Sequence, residues 1–463
     1  MLMNSYQIPI VNIDWVKECE KKHAQLPMEP YSLQMPHVAR EVNKPSTDTL
    51  FQKLSTPHIP QLNDILNQRF SNMKAEPSTS SSKEEEEDTT QETDSEMDDN
   101  DGEDIGLAPG FNNTKYECFR PTPYRPRYNK QLVSYLELLE EQRELNQEDK
   151  NALSYRHAIA AMKAYPREIR SSKEAAKIIG IGKKMTELVR LYLQTGTIPE
   201  ASELLHDEKF LTLRLFNKVF GVGAATAKIW WDMGYRTLQE VLDNAKLTSI
   251  VRLGIQLLPD LIQKMSREDV EELVALIDRE VAALNVEGFV KPVGGYRRGK
   301  IENGDLDIII SSHREDGTVG LLRNLTARLE QKGLIQHILW FSADRPKKDV
   351  SGEDNTIRKK KRAMDDLEKC FCAFLQPSKS ILRQVDLIVA TRTEYPTAVL
   401  GWTGSRQYER SLRDYAKKEK QLSVNSNGIF TDTAPKKRIN VQSEEEAYEL
   451  LDLPFMDPVM RNC

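Results

Sequence analysis

The sequence contains little cysteine, only five residues in 463, and no two of them form a CxxC pair. A disulfide framework is therefore excluded, which favours a reducing compartment such as the cytosol or the nucleus. No apolar run approaches the length of a transmembrane helix, and the N-terminus lacks the pattern of a signal peptide. These absences predict a protein with no membrane association.

Charge is unevenly distributed along the chain. The formal net charge is −6, but residues 83–104 alone contain thirteen acids and one lysine, a local charge of −12. The rest of the chain is mildly basic, at +6, which permits binding to nucleic acid without identifying it. The length and the 39% content of hydrophobic residues predict roughly three domains with their own cores.

The acidic tract belongs to a longer segment that is poor in apolar residues. Such a composition cannot bury enough surface to offset the entropy of the chain, so we interpret residues 35–115 as a disordered linker. A solvated tether is the simpler interpretation, and a specific binding tail is the alternative.

A short strand and an amphipathic helix precede the linker, within residues 1–34. The helix carries Ile13, Trp15, Val16 and Cys19, and the segment resembles the last strand and helix of a BRCT domain. The earlier strands and the glycine turn of that family are absent, and a segment of this size does not fold alone. Either the domain is truncated here or the resemblance is accidental.

Residues 129–265 are predicted to be helical and contain an internal repeat. Ser171 and Glu174 have the spacing of a capping box, and the helix that they open is predicted to end at Gly180-Ile181-Gly182. A second helix follows, with apolar residues at helical spacing. The pattern of helix, glycine turn and helix recurs around Gly221-Val222-Gly223.

Each glycine turn precedes a helix N-terminus, where free N–H groups and the positive end of the helix dipole suit a phosphate. One copy alone would be interpreted as an ordinary helical hairpin with a glycine cap, whereas two copies favour binding to a DNA backbone. The candidate DNA-binding residues of these helix-hairpin-helix units are Gly180, Gly182, Lys183, Lys184, Gly221, Val222, Gly223, Thr226 and Lys228.

The strongest chemical signal is a pair of acids at the start of an apolar strand. Side chains at i and i+2 of a strand share a face, so Asp305 and Asp307 point together while Leu306, Ile308 and Ile310 face the core. Two carboxylates this close repel each other unless a cation lies between them, and oxygen ligands suit Mg²⁺, with Mn²⁺ as a substitute. The alternative, a polar strand start, does not explain two acids before so apolar a strand.

The turn before these acids suits a triphosphate. Gly294 and Gly295 allow the backbone to approach phosphates closely, and Arg298 and Lys300 supply positive charge. The alternative is a basic surface turn.

Asp386 lies inside the apolar run 385–389, where an unpaired charge would cost several kcal/mol. Alone it would be interpreted as a partnered core acid, but beside Asp305 and Asp307 it becomes the natural third metal ligand. Two metal ions about 4 Å apart would then orient a primer 3′-hydroxyl for attack on an α-phosphate and stabilise the departing pyrophosphate. The three aspartates are the candidate catalytic and metal-binding residues.

Combined, these motifs resemble those of the family X DNA polymerases. The resemblance rests on the turn at 294–300, the Asp-Leu-Asp at 305–307, the later strand aspartate and the Gly-Trp-Thr-Gly-Ser at 401–405, and it covers residues 115–463. Within the family the chain is similar to the polymerase mu and terminal deoxynucleotidyl transferase branch and to related fungal enzymes. The resemblance implies a multidomain α+β fold, with helix-hairpin-helix modules, a nucleotidyltransferase palm containing a mixed sheet and helices, and a small C-terminal thumb.

The implied organisation has six parts. They are a partial BRCT-like remnant at 1–34, the acidic linker at 35–115, an inactive lyase-like helical domain at 116–200, fingers at 201–262, the palm at 263–398 and the thumb at 399–463. Strands are predicted at 289–293, 306–311, 370–374 and 384–390, and a helix is predicted at 319–331.

The resemblance also implies nucleotide and DNA contacts. The implied nucleotide-binding residues are Gly294, Gly295, Arg298, Lys300, Gly401, Trp402 and Arg406. Arg406 and three further residues of the same helix, Glu409, Arg410 and Arg413, would face the nascent base pair and the template strand. Otherwise Trp402 would be a core aromatic and the arginines a solvated helix face.

Three positions depart from particular members of the family. Leu188 stands where lyase-competent relatives place a Schiff-base lysine, which predicts no deoxyribose-phosphate lyase activity, with Lys184 as a weak substitute. Gly401 replaces a tyrosine of polymerase lambda, which predicts weaker rejection of ribonucleotides. Gly304 replaces a histidine of mu and terminal transferase, which puts efficient template-independent addition in doubt.

A basic segment within residues 342–366 contains Lys347-Lys348 and the run at 358–362. It lies where the mu branch carries a loop that bridges DNA ends. A surface insert or a nuclear-import signal is as compatible with this composition as contact with a DNA end.

The predicted function is a monomeric, nuclear, Mg²⁺-dependent polymerase that fills gaps in DNA during non-homologous end joining. Its partners would be gapped or broken duplex DNA, deoxynucleoside triphosphates, ribonucleotides and end-joining repair proteins. The alternatives are a template-independent terminal transferase, a non-catalytic scaffold that binds DNA ends, and a nucleotidyltransferase that acts on RNA ends or small molecules.

Overall fold

The computed structural model describes residues 106–342 and 366–463. The predictions for the BRCT-like remnant, for the linker up to residue 105 and for the basic runs at 347–362 lie outside these residues. Among the described helices, none combines the length and the apolar character needed to cross a membrane.

The chain is already packed against the helical region before the predicted end of the linker at residue 115. Ala108 is buried, and its backbone N–H donates a hydrogen bond to the hydroxyl of Tyr165 at 2.8 Å. The ring of Phe111 contacts the same tyrosine edge-on. Tertiary contacts therefore hold Ala108 and Phe111, which lie within the range that the sequence assigns to the linker.

Helices make up the N-terminal half of the described chain. They are α1 (Lys130–Leu145), α2 (Asp149–Ala164), α3 (Ser172–Ala176), α4 (Lys183–Thr195), α5 (Pro199–Glu203), α6 (Glu208–Phe216), α7 (Ala224–Asp232), α8 (Leu238–Asn244), α9 (Ser249–Leu261) and α10 (Arg267–Ala282). α1 and α2 pack against each other. Leu132, Leu136 and Leu139 in α1 and Ala158 and Ala161 in α2, at helical spacing, are at most 1% exposed.

Both predicted glycine hairpins are present, as α3–α4 and α6–α7. Gly182 and Gly223 are the N-caps of α4 and α7. Gly180 has a φ of +108°, and a Cβ atom there would lie 3.1 Å from the carbonyl oxygen of His157, so the first turn requires glycine. Gly221 has a φ of +84° in the second turn.

The capping box predicted at α3 is half formed. Ser171 accepts a hydrogen bond from the N–H of Glu174 at 3.1 Å, but the Glu174 carboxylate accepts from the backbone N–H of Arg170 and from the Tyr165 hydroxyl and pairs with Arg167. The Glu174 carboxylate is therefore held by these three residues instead of accepting from the N–H of Ser171, as it would in a complete capping box. The helix ends at Ala176, whereas the sequence predicts that it continues to the glycine turn.

A five-stranded mixed sheet follows the helices. Its strands are β1 (Gly288–Pro292), β2 (Leu306–Ser312), β3 (Ile335–Phe341), β4 (Glu368–Gln376) and β5 (Ile381–Val389), in the order β1-β2-β5-β4-β3. β2 and β5 are parallel, and the other neighbours are antiparallel. Four strands match predicted ones within a few residues. β3 has no sequence prediction, and its register with β4 shifts at two places.

One face of the sheet is covered by two helices. They are α10 and α12 (Leu321–Gln331), while the short helix α11 (Gly294–Arg297) lies between β1 and β2. α10 and α12 form the main core with Leu306, Ile308 and Ile310 of β2 and with Val385 and Leu387 of β5. All five of these strand side chains are at most 1% exposed, and each contributes about 1.5–3 kcal/mol on burial.

The opposite face of the sheet is covered at two separate places. Leu257 of α9 packs on Ala373, and α13 (Tyr395–Thr403) packs on Ile309 and Ile388 through Ala398. This second face carries Asp307 and Asp386, because they alternate with the core residues of β2 and β5.

The C-terminal region joins helices to a small sheet. Its elements are α13, α14 (Arg406–Lys420), β6 (Leu422–Asn425), β7 (Gly428–Thr431), β8 (Arg438–Ile439) and α15 (Glu444–Leu450). The buried hydroxyls of Tyr408 and Tyr448 form a 2.8 Å hydrogen bond in its core. The predicted palm–thumb boundary after residue 398 falls inside α13, and the predicted boundary after residue 200 falls inside α5, so each lies a few residues from a natural break.

Candidate active site

The three candidate catalytic aspartates lie at one edge of the sheet. Asp307 of β2 and Asp386 of β5 are direct register partners on parallel strands, so their side chains leave the same face about 4.8 Å apart. Asp305 directly precedes β2 and is exposed, whereas Asp386 is 7% exposed. The alternation of side chains predicts that Asp305 and Asp307 lie together. The sheet adds a third acid, Asp386, from a neighbouring strand that is distant in sequence.

Burial and repulsion between carboxylates make Asp307 and Asp386 hard to ionise. Burial, and then the charge of Asp305, raise the pKa of Asp307 to about 7. Burial also raises the pKa of Asp386, and repulsion from Asp307 and Asp305 adds to it. Gln384 partly opposes this by donating a hydrogen bond to Oδ1 of Asp386 at 3.3 Å. A site of this kind favours a bound cation, which would remove both penalties.

The donor set fits a hard divalent ion such as magnesium. All three groups are carboxylates, and the turn backbone closes against one of them, since a Cβ atom at Gly294 would lie within 2.0 Å of Asp307 Oδ2. In the described part of the chain, no group of three or more His, Cys, Asp or Glu side chains is arranged to hold a metal ion. A magnesium ion at this site would take part of its ligands from substrate oxygen atoms, as is usual for magnesium at phosphate sites.

The glycine-rich turn forms a cavity of about 390 Å³ beside the aspartates. Every residue with a predicted nucleotide contact lines it, together with two of the acids. The lining consists of Gly294, Gly295, Arg298, Lys300, Asn303, Gly304, Asp305, Asp307, Gly401, Trp402, Gly404 and Arg406. Asp386 is not part of this lining and contributes from the neighbouring strand.

Arg298 is fixed in place by the C-terminal region. Its Nη1 donates to the carbonyl oxygen of Thr403 at 2.5 Å, and its Nε donates to Oδ1 of Asn462 at 3.2 Å. Burial lowers the pKa of the guanidinium, although Asp307 acts in the opposite direction. The charge therefore stands at a defined place on the cavity wall.

Gly401 and Trp402 close the cavity from α13. A Cβ atom at Gly401 would lie 2.6 Å from Oγ of Ser426 and 3.3 Å from Nη2 of Arg413. Packing against these two groups thus requires the glycine. Trp402 packs beside the sheet, with the ammonium of Lys369 5.5 Å from its ring centre.

The helix α14 presents its predicted contact residues in different directions. Arg406 pairs with Glu144 of α1 at 2.9 Å, and Arg410 is exposed. Glu409 is only 5% exposed and lies 3.5 Å from Arg413. Burial raises the pKa of Glu409 to about 7 against the opposing charge of Arg413. Glu409 therefore does not share an exposed face with Arg410, and its inward position suits holding Arg413.

The hairpin residues are arranged as their spacing suggests. Lys183 and Lys184 are exposed in the first turn of α4, and Lys184 also lies 5.9 Å from the ring centre of Tyr155. Lys228 of α7 forms a 3.1 Å ion pair with Asp232. Leu188 is 8% exposed and is part of the buried side of α4.

Four family profiles cover most of the described chain. They are a helix-hairpin-helix domain at 127–198, the fingers domain of DNA polymerase lambda at 214–262, the DNA polymerase beta palm at 264–391 and the DNA polymerase beta thumb at 398–462. The palm profile contains all three aspartates, and the thumb profile contains Gly401, Trp402 and α14.

Curated relatives agree with the profiles. The chain is 31% identical to human DNA-directed DNA/RNA polymerase mu over 368 residues, covering 75% of this chain and 72% of that protein. It belongs to the X family of DNA polymerases. DNA nucleotidylexotransferase of Xenopus laevis is 28% identical (76% and 71% covered), and the human one is 29% identical (76% and 70% covered).

Membership in family X confirms the predicted fold class in the described region. The helix-hairpin-helix region, the mixed-sheet palm and the C-terminal thumb are all present, while the BRCT-like remnant stays a prediction. The chain is a nucleotidyltransferase whose substrates are DNA and nucleotides, and polymerases of this family generally use divalent metal ions.

Two residues of this family X polymerase have no sequence prediction although they reach the site. Asn303 lines the cavity and is 2% exposed, and its side-chain amide finds no hydrogen-bond partner among residues 106–342 and 366–463. Gln384 contacts Asp386. Each lies two positions before a candidate acid, so the same alternation that relates Asp305 to Asp307 points to both.

Proposed function

We propose that this family X polymerase fills short, templated gaps at DNA ends during double-strand break repair by non-homologous end joining, as a monomer in the nucleus. One observation carries the proposal: all seven predicted nucleotide-binding residues line one cavity with Asp305 and Asp307, and Asp386 is the register partner of Asp307. That convergence supports transfer of a nucleotide to a DNA 3′ end.

The aspartates and Arg298 would have different roles in phosphoryl transfer. Asp305, Asp307 and Asp386 would hold two magnesium ions, or manganese as a substitute, which would activate the 3′-hydroxyl and neutralise the departing pyrophosphate. Arg298 would bind the triphosphate from a preset position, because Thr403 and Asn462 hold its guanidinium. A preset charge needs little reorganisation during the reaction.

The thumb would contact the nucleotide and the template. Trp402 would pack against the incoming sugar and base, and Arg406 and Arg410 would bind the nascent pair and the template. Arg413 would contact the nascent base pair and the template strand from its position beside Glu409. Gly401 leaves no side chain on the cavity wall, which supports weak rejection of ribonucleotides, and the mu relative is described as a DNA/RNA polymerase.

The two hairpins would bind the DNA backbone on either side of the gap. Gly182 and Gly223 place free N–H groups at the start of α4 and α7, where a phosphate is favoured. Leu188 cannot form an imine, so this domain would position DNA without lyase chemistry. Borohydride trapping on DNA with a 5′-deoxyribose phosphate tests this, and a covalent adduct lost with Lys184→Ala would contradict it.

Primer extension on a gapped duplex tests the main proposal. Asp307→Ala is expected to reduce incorporation about a thousandfold or more, equivalent to about 4 kcal/mol, because the register pair with Asp386 is broken. DNA affinity, measured by fluorescence anisotropy, should stay within about twofold. Undiminished extension by the variant would refute the assignment, and binding without any metal-dependent incorporation by the wild type would favour a scaffold.

Terminal transferase is the second candidate, because the nucleotidylexotransferases of two vertebrates cover as much of the chain as polymerase mu does. Gly304 supports templated synthesis instead. Comparison of single-stranded primers with gapped duplexes separates the two activities: faster extension of single strands would favour the transferase.

A further inference from the structure

A segment before α1 holds the turn of the first glycine hairpin. This segment, residues 111–122, is called the strap here. The amide of Asn113 makes two hydrogen bonds to the turn: Oδ1 accepts from the backbone N–H of Ile179 at 2.8 Å, and Nδ2 donates to the carbonyl oxygen of Lys177 at 2.9 Å. One side chain thus satisfies two backbone groups beyond the end of α3, where the helix itself supplies no partner.

Two further contacts hold the same turn. Arg120 of the strap is 2% exposed, and its Nη1 donates to the carbonyl oxygen of Ile179 at 3.2 Å. The helix α2 lies against the turn as well, since a Cβ atom on Gly180 would lie 3.1 Å from the carbonyl oxygen of His157. The backbone at 177–180 is therefore held by two parts of the chain that do not belong to the hairpin.

The next residues of the hairpin are open. A Cβ atom on Gly182 would meet no atom of the described residues within 4 Å, and the N-terminus of α4, which begins there, has no side-chain cap among those residues. Lys183 and Lys184 are exposed. The turn that the strap holds thus leads directly into the place where a DNA phosphate is proposed to bind.

The strap is itself fixed on the thumb. The backbone N–H of Cys118 donates to Oγ of Ser411 at 3.2 Å, and the hydroxyl of Tyr116 donates to Oε1 of Glu419 at 2.5 Å. Both acceptors belong to α14. The strap therefore connects the hairpin turn to the helix that is proposed to contact the template.

We propose that Asn113 is a positioning residue for DNA binding, which holds the first hairpin turn in the conformation that accepts a phosphate. This role rests on the proposed function and deepens it. Asn113 itself would touch no DNA. The apparent affinity of a site falls with the fraction of molecules in which it is correctly formed, so loss of the two hydrogen bonds should weaken DNA binding in proportion.

Hydrogen exchange tests the hold on the turn in the absence of DNA. Asn113→Ala removes both hydrogen bonds, so the amide of Ile179 should exchange about tenfold faster or more. Asn112→Ala is the matched control, because it shortens the neighbouring, exposed asparagine of the same strap, and it should leave this exchange rate unchanged. Wild-type exchange at Ile179 in Asn113→Ala would overturn the proposal.

Asn113→Leu separates hydrogen bonding from packing. Leucine has nearly the size and shape of asparagine but can neither accept from Ile179 nor donate to Lys177. The variant should therefore behave like Asn113→Ala, and thermal melting of each full-length variant monitors folding. Wild-type DNA affinity in Asn113→Leu would show that residue 113 only fills space, against the proposal.

DNA affinity measures the consequence of a released turn. Fluorescence anisotropy on a gapped duplex should show binding about fivefold weaker or more in Asn113→Ala and wild-type binding in Asn112→Ala. Because the bound state keeps all its phosphate contacts, log Kd should depend on log salt with the wild-type slope. Lys183→Met should lower that slope by about 0.9 if its ammonium neutralises one phosphate. A lower slope in Asn113→Ala would mean that the hairpin has lost its contacts altogether, which contradicts a positioning role.

The loss of affinity should be confined to one side of the gap. The two hairpins are proposed to bind on either side, so the two flanking duplexes can be offered separately. Only one of them should bind Asn113→Ala more weakly, because the α6–α7 hairpin is not altered. An equal loss on both duplexes would indicate a general change of fold and would also overturn the proposal.

The outcomes separate this inference from the proposed function. If exchange at Ile179 rises while the affinity for every DNA stays at the wild-type value, the proposed role of Asn113 in DNA binding is wrong, whatever the enzyme does. If Asn113→Ala weakens DNA binding as expected but the wild type extends no primer, the positioning role stands and the polymerase proposal fails instead.

Discussion

Three glycines in this active site leave room for a side chain from another part of the chain. A Cβ atom would meet the carboxylate of Asp307 at Gly294, the ammonium of Lys264 at Gly304 and the hydroxyl of Ser426 at Gly401. Each of these glycines therefore has a different partner, although all three line the same cavity. Substitution at each should consequently fail, or be tolerated, for a reason particular to its partner.

At Gly401, the neighbouring side chain of Ser426 can itself be substituted to test the role of the glycine. Gly401→Ala is expected to lower the free energy of unfolding by about 1–3 kcal/mol through overpacking, because its Cβ atom would lie 2.6 Å from Oγ of Ser426. Ser426→Ala removes that oxygen and should restore stability in the double variant, as urea denaturation would show.

The double variant then tests sugar choice. Ribonucleotide incorporation relative to deoxynucleotide incorporation should fall below that of Ser426→Ala alone, which is the matched control. An unchanged ratio would mean that Gly401 is required for packing only.

Glu409 gives the stability a pH dependence that can be isolated. Its pKa is raised from an ordinary 4.5 to about 7 by burial, so between these pH values the folded state holds a proton that the unfolded state has released. Stability from this residue is full below pH 4.5 and is lost as the pH rises to about 7. Glu409→Gln is expected to abolish this loss of stability at higher pH, because glutamine does not ionise.

Melting temperatures of wild type and Glu409→Gln, compared from pH 4.5 to 8, test this. The variant should gain stability relative to wild type as the pH rises and reach a plateau above about pH 7. A constant difference would show that Arg413, 3.5 Å away, keeps the carboxylate ionised in both states.

At the scale of elements, the glycine-rich turn at 294–300 is connected to the thumb by a buried ion pair. Glu444, in the first turn of α15, accepts hydrogen bonds from Arg297 at 2.7 Å and from Arg461 at 2.6 Å. Burial alone would raise the pKa of Glu444, but these arginines outweigh burial and hold the pKa below its usual value. The turn and the thumb are therefore expected to move as one body.

Glu444→Gln should loosen that connection. The expected cost is about 3–5 kcal/mol of stability, and the KM for the incoming nucleotide should rise more than the KM for DNA, because Arg297 neighbours Arg298, which lines the cavity and is proposed to bind the triphosphate. Steady-state kinetics on a gapped duplex measure both. Glu445→Gln is the matched control, as it removes an exposed acid from the same helix turn, and an equal effect there would contradict the mechanism.

At the scale of the whole molecule, the parts that follow local periodicity could be predicted from the sequence. Asp305 and Asp307 alternate with core residues. Both glycine hairpins are predicted by the spacing of their glycines and by the helical patterns on either side. The strands β2 and β5 each contain three consecutive apolar residues, 308–310 and 387–389, after an aspartate. These predictions need only a few neighbouring residues, so the sequence contains all that decides them.

Features that depend on distant partners could not be predicted. The irregular register of β3, the packing of Ala108 on Tyr165 and the inward turn of Glu409 are each decided by another part of the chain. Lys264 lies beside Gly304, and the two segments are joined by the bridge between Met265 and Asn303, which no local motif predicts.

The parallel pairing of β2 with β5 has a consequence for how such enzymes can change over time. The two carboxylates in register come from strands separated by α12, β3 and β4, and the entropy of closing the chain between them depends only weakly on its length: each doubling costs about 0.6 kcal/mol. Insertions between β3 and β4 can therefore lengthen or shorten without altering the distance between Asp307 and Asp386. A change in the length of this connection is therefore expected to leave the spacing of the two carboxylates intact.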